Sequence, residues 1–198
     1  MITLCMDTSH KYLVIAILKD DSLIDGLMTI CWKKQSELIL PEIDRMMKKN
    51  ALLPTDIDSI VITNGPGSFT GVRIAMTIAK VLGCLTDIKI YTISTLKLYA
   101  GASDAMVMLD ARGGRCYLGD YHNHIGHDEI VKLDELTSLI DPSITNIIGD
   151  ASLIGKEDNY PLITENFLLT KPYWDLVSDI DTLTPVYLKE KSEYLINV

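Results

Sequence analysis

The sequence has few of the features that commonly announce a chemistry. Its 198 residues hold four cysteines, Cys5, Cys31, Cys84 and Cys116, too widely spaced for a zinc or redox pair. They read as buried, reduced thiols. Basic residues are outnumbered, 18 Lys and Arg against 27 Asp and Glu, and a net charge of -9 leaves no broad surface for neutralising phosphates. A nucleic acid handled by such a protein is expected to be held by another chain. No apolar run approaches the ~20 residues of a membrane helix. Asp7 and His10 interrupt the N-terminal apolar stretch too early for a signal peptide. The expectation is a cytoplasmic protein without a membrane segment. The histidines form neither His-x-x-x-His nor His-Glu-x-x-His; His122, His124 and His127 lie beside Asp128, where a metal site competes with an ordinary polar hairpin tip. Ser68 has nucleophile-like flanks in Gly67 and Phe69, but no histidine partner can be assigned to it.

What the sequence does have is one highly organised stretch, Ile57 to Leu85. An apolar strand (Ile57 to Thr63) leads into a turn containing Gly65, Pro66, Gly67 and Gly71, and a long helix follows from about Thr70. A glycine-rich turn before a helix N-terminus is a candidate anion site. The spacing argues otherwise. Val72 and Arg73 stand where Walker A requires lysine and a hydroxyl residue, and the Rossmann fingerprint lacks its third glycine. The helix has two apolar stripes: Val72, Ala75, Met76, Ala79 and Leu82, then Ile74, Ile78, Val81 and Leu85. One stripe suffices to pack on a sheet, so the second implies another helix, internal or from a partner. Ala75 and Ala79 would allow close approach. Arg73, unfavourably placed in the first turn, implies a nearby carboxylate.

In chain order, Ile2 to Met6, Tyr12 to Lys19 and Leu23 to Trp32 form an expected antiparallel meander. A helix follows from about Ser36 to Asn50, with Pro41 kinking it or confining its start to near Leu40. After Lys89 to Thr92 comes a short helix capped by Ser94. This βββαβαβα order describes an α/β protein of the actin-like, ribonuclease-H-like fold. From Ala105 the plan restarts: a strand ending at Asp110, a turn at Ala111 to Gly114, a strand Arg115 to Tyr121, a third strand, a helix Asp134 to Ile140 and a strand Asn146 to Gly149. Two lobes are expected, residues 1–101 and a shorter copy, 102–198. Asp158 to Lys171 has no clear period. The tail from Tyr173 is expected to dock as a helix and an extended segment. Asp7 and Asp110 occupy matching strand ends, and Asp110 and Arg112 could order a cleft or form an ion pair. Asp7-Thr8-Ser9-His10 lacks the glycine that lets a hairpin wrap phosphates, which argues against ATP hydrolysis.

The run from Asn64 through Gly65, Pro66, Gly67, Ser68, Phe69, Thr70, Gly71, Val72, Arg73 and Ile74 resembles the signature of the TsaB (YeaZ) family. Met6 to Ser9, Ile93 to Leu96, Asp110 to Arg112, Ile148 to Asp150 and Pro185 to Leu188 are similar to other family segments. Gln35 and Ala75 stand where the family often has histidine and glycine. The resemblance implies a non-catalytic, actin-like subunit of the complex that makes threonylcarbamoyladenosine beside the tRNA anticodon. It further implies pairing with a catalytic TsaD-like paralogue and a TsaE-like ATPase, self-association when free, and tRNA contact only through the complex. ATP or ADP and metal would then belong to the partners, with no cofactor or metal held by this chain. Together, resemblance and pattern place the partner interface at Ile39, Ile43, Met46, Val72, Ala75, Met76 and Ala79. The competing expectation is a small phosphotransferase binding nucleotide and magnesium between Asp7 and Asp110.

Overall fold

The computed structural model describes residues 1–122, 126–140 and 146–189. The meander is present as β1 (Ile2–Asp7), β2 (Tyr12–Lys19) and β3 (Ser22–Ile30). It is followed by α1 (Gln35–Lys49), β4 (Ile57–Thr63), α2 (Phe69–Leu85), β5 (Lys89–Ile93) and α3 (Thr95–Ala100). The second round comprises β6 (Met106–Asp110), β7 (Arg115–Asp120), β8 (His127–Lys132), α4 (Leu133–Leu139), β9 (Ile147–Gly149), α5 (Ile163–Leu169) and β10 (Asp175–Leu176). The first sheet has strand order β10-β5-β4-β1-β2-β3, with β1, β4 and β5 parallel and β2 and β3 antiparallel. The second has order β8-β7-β6-β9 and repeats that logic, an antiparallel β6-β7-β8 run extended by parallel β9. This is the expected α/β, actin-like architecture.

Side-chain alternation along the strands builds three cores. Leu4 and Met6 of β1, with Leu13, Ile15 and Ile17 of β2, face α1 and α2, and Ile39, Met46, Ala75 and Ala79 meet them there. Cys5, Val14 and Ala16 face the opposite way, toward Leu98 and Tyr99 of α3, Phe167 of α5 and Val107 and Leu109 of β6. Met106, Met108 and Leu118 close a third core against Leu136 of α4. The molecule is therefore layered, with helices on both sides of each sheet and one core shared between the sheets. Burial pushes the Cys5 thiol up, and that of Cys116 up to about 12, so both are inert packing groups; Cys84, contrary to expectation, is exposed.

Several expected boundaries are corrected. Helix α1 starts at Gln35 and runs through Pro41 rather than beginning near Leu40. Burial of Ile39, Ile43, Met46 and Met47 on one face offsets the missing proline donor. The span without a clear period contains α5, whose periodicity is masked by buried polar residues. Asn166 donates to the carbonyls of Leu98 and Tyr99 at the end of α3, 2.9 and 3.1 Å away. Beyond Tyr173, the described tail contains β10, paired with β5, and no helix. Thus α5 and β10 pack back on elements of the first round.

Candidate functional site

The glycines of the central loop are explained by the hairpin beneath them. At Gly67 a Cβ would stand 2.6 Å from the Ser9 carbonyl oxygen, and at Gly71 it would collide with the carbonyl of Thr8. The hairpin packs directly against the loop, and only glycine fits at these two positions. Ser68 N–H donates to the Ser9 carbonyl (2.7 Å), and Thr8 Oγ1 donates to the Gly71 carbonyl (2.7 Å). Ser68 caps α2 by accepting from Gly71 N–H. Gly65 has φ +111, and Val186 N–H donates to the Asn64 carbonyl, so Gly65 and Pro66 lie buried beneath the C-terminal segment. Thr70 stays exposed. Among the described residues Arg73 meets aromatic side chains rather than the expected carboxylate: its guanidinium lies 3.8 Å from the Phe69 ring centroid, and its Nε donates to Tyr187 Oη.

Asp7 is fully buried at the end of β1. Its carboxylate accepts from Thr63 Oγ1 (2.6 Å), Ser9 N–H (2.9 Å) and Tyr99 Oη (3.3 Å). It therefore serves the core and does not line the cleft between the sheets. That cleft, about 180 Å³, is bordered by Ser9, His10, Trp32, Ser68, Asp110, Arg112 and Lys189. The backbone N–H of Arg112 donates to Asp110, whereas its guanidinium faces the Trp32 ring at 5.3 Å. The structure thus gathers Asp110 and Arg112 but leaves Asp7 outside, contrary to a magnesium site shared by the two aspartates.

The electrostatic centre lies deeper, at residues to which the sequence assigned no role in a site. Asp150, just after β9, accepts from the Asp110 N–H (2.8 Å), Tyr160 Oη and Lys11 Nζ (3.3 Å) and pairs with His10 Nε2 (3.0 Å). Burial alone would raise its pKa. The hydrogen bond and charge of His10, with the Asp110 and Tyr160 bonds, instead hold the carboxyl well below the usual range. Since His10 and Lys11 belong to the first sheet's hairpin, this cluster clamps the two sheets together. Glycine at 149, with φ +100, followed by an acid at a strand end was the available signal.

The expected interface residues form no surface. Val72, Ala75, Met76, Ala79, Ile39, Ile43 and Met46 are all buried in the first core. The small residues of α2 allow its own sheet, rather than a partner, to approach. The second stripe remains open: Ile74 and Ile78, half-buried, line a groove with Leu40, Phe69 and Thr77, and Val81 and Leu85 lie exposed further along α2. His122 pairs with Asp120, His127 lies on β8, and His124 falls outside the described residues. Among the described residues, no group of three or more His, Cys, Asp or Glu side chains assembles as a metal site. No described helix is long and apolar enough to cross a membrane.

Residues 29–146 match the family model described as TsaD, tRNA N6-adenosine threonylcarbamoyltransferase. The chain is 36% identical over 146 residues to the tRNA threonylcarbamoyladenosine biosynthesis protein TsaB of Bacillus subtilis, covering 71% of this chain and 64% of that protein. It is 30% identical over 153 residues to the Escherichia coli protein of the same name, covering 72% and 64%. The chain belongs to the TsaB (YeaZ) family. Its matches span just under two thirds of the length of these two relatives. A Pseudomonas aeruginosa structure described as similar to peptidase YEAZ shares the fold, with TM-score 0.79 and 18% identity over 95% of this chain and 99% of that one. In this TsaB-family chain the signature loop is an internal packing motif, joining β4, the first hairpin, α2 and the tail. Gln35 donates to the His10 carbonyl (3.0 Å) and so supports the clamp hairpin.

Proposed function

We propose that this chain is a non-catalytic subunit in the formation of threonylcarbamoyladenosine in tRNA, pairing with a TsaD-like catalytic paralogue through the groove between α1 and α2. The supporting observation is the contrast between its two candidate sites. The glycine-rich loop is packed against the Thr8-Ser9 hairpin, whereas Ile74 and Ile78 of α2 stay half-buried in an open groove beside Leu40. A half-exposed isoleucine pair flanked by Leu40 gives a helix of a partner an apolar seam. The names of the Bacillus and Escherichia relatives supply the pathway, and the match to the TsaD model suggests a partner built on the same plan.

In this reading the partner carries the metal and nucleotide chemistry and the contacts to tRNA, a TsaE-like ATPase joins the pair, and the free chain dimerises through the same groove. A net charge of -9 suits a subunit that leaves RNA to its partner. The test is sedimentation of this chain with its TsaD-like partner. Wild type is expected to form a complex and Ile78→Glu to remain separate while folded; a complex of undiminished affinity would remove the groove from the interface.

A further inference from the structure

The cleft between the sheets is bordered by two polar groups that the fold leaves unpaired. Ser9 is fully buried and His10 only 9% exposed, yet among the described residues neither Ser9 Oγ nor His10 Nδ1 has a hydrogen-bond partner. The other ring nitrogen of His10 is committed to Asp150, so the clamp makes no use of Nδ1. Buried polar atoms are almost always satisfied, and two together beside one cleft are poorly explained by packing alone. A cation stands ready at the same place. The Arg112 guanidinium lies 5.3 Å from the Trp32 ring centroid and, among the described residues, makes neither an ion pair nor a hydrogen bond. Its turn is held by the backbone: the Arg112 N–H donates to Asp110 (2.7 Å), and its carbonyl accepts from Lys189 Nζ (3.2 Å). Ser68 and Phe69, at the N-terminus of the 17-residue α2, also border the cleft, and that end of a helix carries partial positive charge.

The geometry points to a binding site for a small monocarboxylate with a short apolar tail. The guanidinium fork of Arg112 matches the two coplanar oxygens of a carboxylate. Ser9 Oγ can donate to the same group, and so can His10 Nδ1–H when the ring, held against Asp150, is an imidazolium. Trp32, Phe69, Leu109 and Tyr117 supply an apolar wall for the tail. Size and charge limit the class. A cleft of about 180 Å³ holds the volume of roughly six water molecules, too little for a nucleotide, and the Asp110 carboxylate at its edge disfavours a second negative charge. The site lies apart from the groove between α1 and α2, so the inference does not rest on the proposed pairing.

The test titrates the full chain with isobutyrate and follows its backbone amide and indole N–H resonances by heteronuclear NMR. Saturable shifts at Ser9, His10, Arg112 and the Trp32 indole are expected, with a dissociation constant on the order of 1 mM for so small a ligand. Isobutyramide, the same shape without the charge, and inorganic phosphate should each bind about tenfold more weakly or worse. Arg112→Gln should weaken isobutyrate by a similar factor. Ser9→Ala removes a hydroxyl that pairs with nothing in the described protein, so it should leave the melting temperature within a few degrees while weakening isobutyrate several-fold. Shifts that do not saturate, isobutyramide or phosphate binding as tightly as isobutyrate, or wild-type affinity in both variants would overturn the proposal.

Discussion

Asp150 links the two sheets through the side chains of His10, Lys11 and Tyr160 and the backbone N–H of Asp110. Replacing it with asparagine removes the carboxylate partner of His10 and leaves Lys11 with Asp158 alone. Asp150→Asn is expected to cost about 3 kcal/mol in urea unfolding, the usual scale for breaking one side of a buried pair. The pH dependence has a definite sign. Its folded pKa is depressed below the ordinary 3.8, so its contribution is complete above that value and is lost as pH falls through the folded pKa. Wild type should lose stability more steeply than Asp150→Asn below about pH 4; parallel curves would mean that the clamp is not ionic. Gly71 offers a second test. Its added Cβ would collide with the Thr8 carbonyl, which is backbone and cannot rotate aside, so Gly71→Ala should cost about 3 kcal/mol by thermal or urea unfolding.

Helix α2 shows how much of the structure was legible at the level of elements. Its two apolar stripes follow from the sequence, but periodicity does not say which one meets the sheet. The smaller side chains do so, because Ala75 and Ala79 let β4 and β1 approach, and Ile74 and Ile78 stay half-buried at the rim of that core. Paired substitutions separate the faces. Ile74→Glu should abolish association with the partner and leave the melting temperature within a few degrees, whereas Ala79→Glu buries a charge and should unfold the chain. Strands β1, β2 and β4 and the Ser94 cap were legible because alternation and a capping hydroxyl are local signals. Helix α5 and the Asp150 cluster were not. In both, buried polar groups are satisfied by partners distant in sequence, as Asn166 is by α3 and Asp150 by His10.

The whole molecule combines an actin-like, two-sheet architecture with a hairpin packed against its glycine-rich loop. Gly67 and Gly71 belong to close packing against Ser9 and Thr8, and Asp7 is consumed by Thr63, Ser9 and Tyr99. The most direct measurement is threonylcarbamoyl transfer to tRNA in a reconstituted mixture, comparing this chain alone, the TsaD-like and TsaE-like partners without it, and all three together. Activity confined to the complete mixture, and lost with Ile78→Glu, is the expected result. Transfer catalysed by this chain alone would contradict the proposed non-catalytic role and move attention to the cleft of Asp110 and Arg112.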